Sequence, residues 1–258
     1  AQAILGSGHL GITHLPLPTQ TWAMAEPPAK KARVEGSMTL TYFPVFAKGL
    51  GPALCAELSG LAWKGNNDTG FDLSKWQALK DTGKPPFAQL PILEVNGMVI
   101  AQAIAICNYI GRVSGLEGKD DAEFATSQMV LAASEDLYML MQIHQPTLFK
   151  SYNTGGKLGP EENKTFWAKV VPTEVGKLEK LLAASAGESF TSSGTTVGEL
   201  YLFAILHQMK LCTPGFIDAT PGLLKFYEKT KSLPGVTKVL EGKSAMGQMK
   251  QYFINASD

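Results

Sequence analysis

The chain has 258 residues, 45% of them hydrophobic and 18% charged, with 23 Lys and Arg balancing 23 Asp and Glu. That length can bury a sizeable core in one or two domains, and the lack of a basic surplus argues against nucleic acid or an anionic membrane as partner. Cys55, Cys107 and Cys212 are far apart and form no C-x-x-C pair, which argues against a disulfide framework or a zinc site and suits a reducing, cytoplasmic setting; no run of about 18 apolar residues announces a membrane-spanning helix.

Residues 1–37 are interrupted by Gly6, Gly8, Gly11, Pro16, Pro18, Pro27 and Pro28 and hold no sustained period, so they read as a mostly disordered tail. Nothing before Met24 carries Lys or Arg, which makes a poor secretory signal, and Met24 and Met38 both read as candidate starts. The segment Pro28 to Val34, PAKKARV, resembles a short basic nuclear-import signal, although a solvated tail accounts for such a cluster as well.

Ordered structure is expected from Thr39. The pattern predicts a strand over 39–45, a helix over 51–59, a short strand over 61–64 and a helical segment over 73–79. The next stretch, QLPILEVNGMVIAQAIAICNYI from Gln89 to Ile110, is the most informative. Ile92, Leu93 and Val95 make a strand, Asn96-Gly97 is a two-residue hairpin turn, and Met98 to Ile100 returns as a second strand. A helix then runs from about Gln102 to near Gly115 on the spacing of Ile104, Cys107, Tyr109, Ile110 and Val113. Pro91 marks a strand entrance, where a cis bond is accommodated. With such a bond, the Leu90 backbone faces outward to pair with an extended peptide, and the first N–H groups of the helix seat a carboxylate. A hairpin and helix of an ordinary α/β domain fits this window equally.

Beyond a linker at Gly115 to Lys119 the pattern is wholly helical, so the chain divides into 38–115 and 120–258. Phe124, Met129, Leu131, Leu137 and Leu140 are expected on the inner faces of a long helix. Ser151 to Asn163, SYNTGGKLGPEEN, reads as an exposed connection, and Phe166 to Leu182 as helix. Thr196 to Glu199 forms a capping box that opens the apolar helix Leu200 to Leu211, with further helices near Leu223 to Ser232 and Val236 to Gly242. His144 and His207 lack a paired ligand or nucleophile. No catalytic triad or metal motif is present, and no metal is expected.

The motifs L-T-Y-F, W-x-x-x-K, Q-L-P-I-L-E-V-N-G, A-Q-x-x-A-I and T-V-G-E-L, in that order, resemble the cytosolic glutathione transferases, most closely the sigma-like class, over Thr39 to Phe253. The resemblance implies an α/β plus all-α architecture, with a thioredoxin-like glutathione-binding domain followed by an all-helical domain. It implies a homodimer with glutathione as co-substrate and a small hydrophobic electrophile as second substrate, in a detoxifying transferase. Tyr42 falls on the catalytic tyrosine, whose hydroxyl donates to the glutathione sulfur and favours the thiolate. Trp76 and Lys80 match residues at the glycyl end, and Gln89, Leu90 and Pro91 the cis-proline element that holds the cysteinyl backbone. Gln102 matches the contact to the γ-glutamyl group, and Asp136 an acidic residue reaching the partner subunit's glutathione. Tyr138, Met139, Met141 and Ile143 are candidates for a hydrophobic substrate surface or for core.

Two positions depart from the family's pattern. Ala103 stands where a serine hydroxyl usually binds the γ-glutamyl carboxylate, and Lys48 stands where an arginine is common, keeping the charge without the planar fork. The leading expectation is conjugation of the glutathione thiolate to electrophiles. A glutathione-dependent isomerase or peroxidase would use the same first site, and a non-catalytic binding or structural protein is the alternative of a different class.

Overall fold

The computed structural model describes residues 34, 36–65, 71–147, 159–185 and 188–255, within one compact unit that spans Lys31–Asp258. The tail read over 1–37 lies almost wholly outside the described residues, as does most of the connection read over 151–163.

Four strands, β1 (Met38–Thr41), β2 (Trp63–Lys64), β3 (Ile92–Val95) and β4 (Met98–Ala101), form one sheet in the order β2-β1-β3-β4. β1 and β2 are parallel, as a strand-helix-strand crossover requires, and the other pairings are antiparallel. The hairpin closes at Asn96 and Gly97, both at positive φ (47° and 76°). That is the conformation for which the Asn-Gly pair is suited. β1 ends four residues earlier than its pattern predicts, because Pro44 has no N–H to continue a ladder. Its carbonyl instead accepts from Lys250 N–H at 3.0 Å while Phe46 N–H donates to Lys250 O at 2.9 Å, so a distant piece of chain takes over the pairing.

Helix α1 (Leu50–Leu58) packs against α3 (Ala103–Ser114), and Leu40, Leu50, Leu54, Leu93 and Ile106 lie fully buried in this half. Helix α2 (Leu73–Asp81) buries no residue; its start is fixed by the Asp72 carboxylate, which accepts from Ser74 and Lys75 N–H. This small sheet with helices is the thioredoxin-like half.

The remainder is helical: α4 (Asp121–His144), α5 (Pro160–Thr165), a π-helical turn (Phe166–Val170), α6 (Val171–Ala184), α7 (Val197–Cys212), α8 (Pro221–Lys231) and α9 (Pro234–Leu240). α7 is the central element, buried along nearly its whole length and packed on α1, α4 and α8. Its entry is fixed by the expected capping box: the Glu199 carboxylate accepts Thr196 N–H at 2.9 Å and, through its other oxygen, Phe190 N–H at 2.6 Å. Gly198 lets α7 touch α4. A Cβ there would lie 2.1 Å from the Ser127 carbonyl oxygen, and Gly198 N–H donates to Ser127 Oγ at 3.1 Å.

Two expectations need correction. Phe124 and Met129 are 42% and 54% exposed, and the inner face of α4 is Val130, Leu131, Ser134, Leu137, Tyr138 and Met141; over 24 residues several apolar stripes are compatible with one pattern, and only contact with α7 selects among them. The helix predicted from Phe166 begins at Pro160 and passes through a π turn. The missing N–H of Pro172 denies the carbonyl four residues back its normal partner, so the ladder changes register there. No helix among the described residues is long and apolar enough to cross a membrane.

Candidate active site

Tyr42 follows β1 directly and is 8% exposed. Its hydroxyl oxygen accepts the Lys48 backbone N–H at 3.3 Å, and its ring lies against Gly49, where a Cβ would come within 2.2 Å of Tyr42 Cδ1. Any larger residue at 49 would push the ring off this turn. Burial raises the phenol well above its ordinary range, opposed by the Lys48 N–H and reinforced by the neighbouring Tyr252. A phenol held that way stays protonated at neutral pH and acts as a donor.

Lys48 links this turn to the helical half. Its ammonium pairs with Glu135 Oε1 and lies 4.3 Å from the centre of the Tyr138 ring. Glu135 Oε2 accepts the Tyr201 hydroxyl at 2.8 Å, so residues from α4 and α7 converge on the loop that carries Tyr42. Burial of the Tyr201 phenol, with the Glu135 charge beside it, pushes it far above its usual range. Burial raises the Tyr138 phenol well above its ordinary range, with Tyr42 and, from the C-terminal side, Tyr252 adding to it, and Phe253 packs edge-on to Tyr138 at 5.4 Å.

The other sequence-predicted residues fall into two groups. Leu90-Pro91 is a cis bond, and Gln89, beside it, accepts a hydrogen bond from Gln102 Nε2 to its Oε1 at 3.2 Å. The entrance of β3 and the start of α3 are thus drawn together. Gln102 has φ 72°, a conformation rare outside glycine, which turns the chain sharply from β4 into α3. Ala103 is the first residue of that helix and is buried, placing a methyl group at the helix N-terminus. Trp76 packs edge-on to Phe43, the neighbour of Tyr42, at 6.3 Å, and Lys80 Nζ lies 5.4 Å from the centre of the Trp76 ring. These residues surround one end of the sheet.

Asp136 does not join them within one chain. It is exposed on α4, on the face that also presents Met129, Met139 and Ile143, while its neighbour Glu135 turns inward. Of the proposed hydrophobic surface, Tyr138 and Met141 are buried and Met139 and Ile143 exposed. A cleft of about 570 Å³ lined by Pro160, Asn163, Lys164, Trp167, Thr213 and Asn255 includes none of these residues. Sequence reasoning missed Glu135, Tyr201 and Tyr252. Tyr201 sits five residues beyond Thr196 on an apolar helix and reads as core. Glu135 and Asp136 are consecutive acids that only the α4 register distinguishes.

A cis-proline hairpin, a buried tyrosine after the first strand and a helical half joined to it through an ion pair define a thioredoxin-like domain with a fused helical bundle. The model of the glutathione S-transferase N-terminal domain matches residues 72–112, and that of the C-terminal domain residues 141–243. Glutathione S-transferase 1 of Ascaris suum is 32% identical over 202 residues, covering 77% of this chain and 93% of the relative. The hematopoietic prostaglandin D synthase of Gallus gallus is 25% identical over 76% of this chain and 92% of its own length. The crystal structure of the glutathione S-transferase from Ascaris lumbricoides superposes with a TM-score of 0.66 and 29% identity, over 81% of this chain and 98% of that one. The chain belongs to the glutathione S-transferase family.

Proposed function

We propose that this protein is a glutathione transferase that presents the glutathione thiolate to a small hydrophobic electrophile and forms a thioether. The observation that carries this reading is the Tyr42 hydroxyl. Its oxygen accepts from the Lys48 N–H, and its own proton, which a phenol keeps at neutral pH, serves as a donor to sulfur. Glutathione lies along Trp76, Lys80, Gln89, Leu90, Pro91 and Gln102, with its cysteinyl backbone at Leu90 and its γ-glutamyl end at Gln102 and the start of α3. The N–H groups of that helix end compensate in part for the hydroxyl that Ala103 lacks.

Lowering a thiol from about 8.5 to near 6.5 requires roughly 2.7 kcal/mol, of which a charge-assisted hydrogen bond supplies much. In this reading residues 38–115 form the glutathione domain and 120–258 the helical one. The protein acts in the cytoplasm in detoxification and pairs as a homodimer through the exposed Met129, Met139 and Ile143 face of α4, which brings Asp136 to the partner's glutathione. A glutathione-dependent isomerisation or peroxide reduction is the alternative reaction at the same first site.

A second reading, binding or structural without chemistry, draws support from two observations: Tyr42 is nearly covered, and Ala103 replaces a hydroxyl. Glutathione-agarose capture followed by a thiol-conjugation assay separates them. Conjugation by the wild type, reduced about ten- to a hundredfold in Tyr42→Phe with retained glutathione binding and a rate profile moved to higher pH, supports the enzyme. Capture without conjugation of any of a broad panel of electrophiles supports the scaffold.

A further inference from the structure

Glu135 contacts both the loop after Tyr42 and the central helix α7, and its two oxygens have different partners: Lys48 Nζ on Oε1 and the Tyr201 hydroxyl on Oε2. The chemistry of Lys48 explains the division. An arginine fork would engage both carboxylate oxygens in parallel, whereas an ammonium engages one and leaves the second needing a donor. Tyr201 supplies that donor from a position where it cannot swing away. It is 1% exposed, and its ring lies against Gly51 of α1, where a Cβ would come within 2.3 Å of Tyr201 Cδ2. The same Lys48 carries the backbone N–H that points at the Tyr42 oxygen.

We propose that Tyr201 and Glu135 are positioning residues for the tyrosine chemistry: they clamp the Lys48 side chain so that its backbone N–H is held on the Tyr42 oxygen and the Tyr42 proton is directed toward sulfur. The proposal rests on the transferase reading for its effect on catalysis, but the clamp itself is a property of the free protein. It also gives the Lys48 substitution a structural counterpart, a tyrosine hydroxyl doing the work of the second arm of a guanidinium.

The test is a double-mutant cycle with two readouts. In the free protein, Tyr201→Phe should speed hydrogen exchange of the Lys48 amide about three- to tenfold, the range of one ordinary net hydrogen bond, while the Leu50 amide, which donates to Phe46 O, keeps its rate. Introduced into Lys48→Arg, the same Tyr201→Phe change should have little further effect, because the fork takes both oxygens. In the conjugation assay with a chlorodinitrobenzene electrophile, Tyr201→Phe should lower kcat by a similar factor and move its pH profile upward with the KM for glutathione changed less than twofold, and Lys48→Arg should remove that dependence on Tyr201.

Equal acceleration of the Lys48 and Leu50 amides, or a lowered melting temperature with no change at the Lys48 amide, would overturn the clamp and leave Tyr201 as packing. An equal effect of Tyr201→Phe in both backgrounds would also overturn it. A wild type that conjugates nothing would sink the transferase reading alone, and the amide exchange would still decide the clamp.

Discussion

Gly198, at the α4–α7 contact, and Gly176, in α6, offer a pair of substitutions with opposite expected signs. Gly176 lies in the interior of α6 and Gly198 in the first turn of α7, and on intrinsic propensity alone alanine should stabilise the former by about 1 kcal/mol and the latter by up to about that. At Gly176 a Cβ meets nothing within 4 Å, so that gain should survive. At Gly198 it meets the Ser127 carbonyl oxygen at 2.1 Å, the carbonyl carbon at 2.9 Å and Cα at 3.0 Å. All three are backbone atoms that no rotamer change removes. The helices would have to separate by over 1 Å to restore van der Waals contact, through a core that includes the fully buried Val130, Leu200 and Ala204. Overpacking of this kind costs typically 1–3 kcal/mol, and loss of the Gly198 to Ser127 hydrogen bond adds about 1 kcal/mol. Set against the propensity gain, Gly198→Ala should lose about 2 kcal/mol, or roughly 4–8 °C in Tm for a domain of this size, and Gly176→Ala should gain a few degrees. Scanning calorimetry of both variants tests this. A Gly198→Ala protein as stable as the wild type would mean that α4 and α7 are less tightly apposed and that the argument from close approach is wrong.

Ala103→Ser should tighten glutathione binding by about 0.5–1.5 kcal/mol in calorimetry, since the new hydroxyl stands at the start of α3; unchanged affinity would place the γ-glutamyl carboxylate elsewhere. His207 should make the fold sensitive to mild acid. Its burial, reinforced by Lys231, lowers its pKa from 6.5 to about 4. The neutral ring, hydrogen-bonded through Nδ1 to the Tyr227 hydroxyl at 2.9 Å, is therefore favoured in the fold, and stability falls as pH drops from about 6.5 to about 4, by on the order of 2–3 kcal/mol. In urea titrations across that window His207→Phe should show a shallower decline, and equal declines would refute the assignment. The homodimer should appear as twice the chain mass in light scattering at micromolar concentration, and Met129→Glu with Ile143→Glu, both on the exposed face of α4, should give monomer; a wild-type monomer would count against the interface.

The sequence made some of this structure legible and hid the rest for identifiable reasons. The hairpin at Asn96-Gly97, the capping box at Thr196 and the strand entrance at Pro91 were readable because each is fixed by local backbone chemistry: positive φ, an orphan N–H, a missing N–H. The order of motifs then carried the family. What a local pattern cannot carry is pairing between distant segments. Pro44, with no N–H to give, is a local reason for β1 to end, but nothing local shows that Lys250, over two hundred residues away, takes over the pairing there. Phe124 and Met129 face outward because the inward face of α4 is chosen by α7, whose Gly198 sets how close the two helices come.

The candidate site divides the same way. Tyr42, Gln89, Leu90, Pro91, Gln102 and Ala103 lie in or beside elements whose ends the sequence marks, and the structure brings Gln89 and Gln102 into contact. Glu135 and Tyr201 lie within long helices, where a charge reads as solvent and an aromatic as core. Their shared role emerges only when a lysine from a third element reaches the same carboxylate. Under the proposed clamp of Lys48, Tyr201 is the donor on the carboxylate oxygen that the fork of an arginine would engage. A substitution at a site is thus best judged by whether the hydrogen-bonding capacity it gives up is met from elsewhere. By that measure Lys48 is matched by Tyr201, whereas Ala103 has only the N–H groups of its own helix, and Ala103→Ser is the substitution expected to raise glutathione affinity in the proposed site.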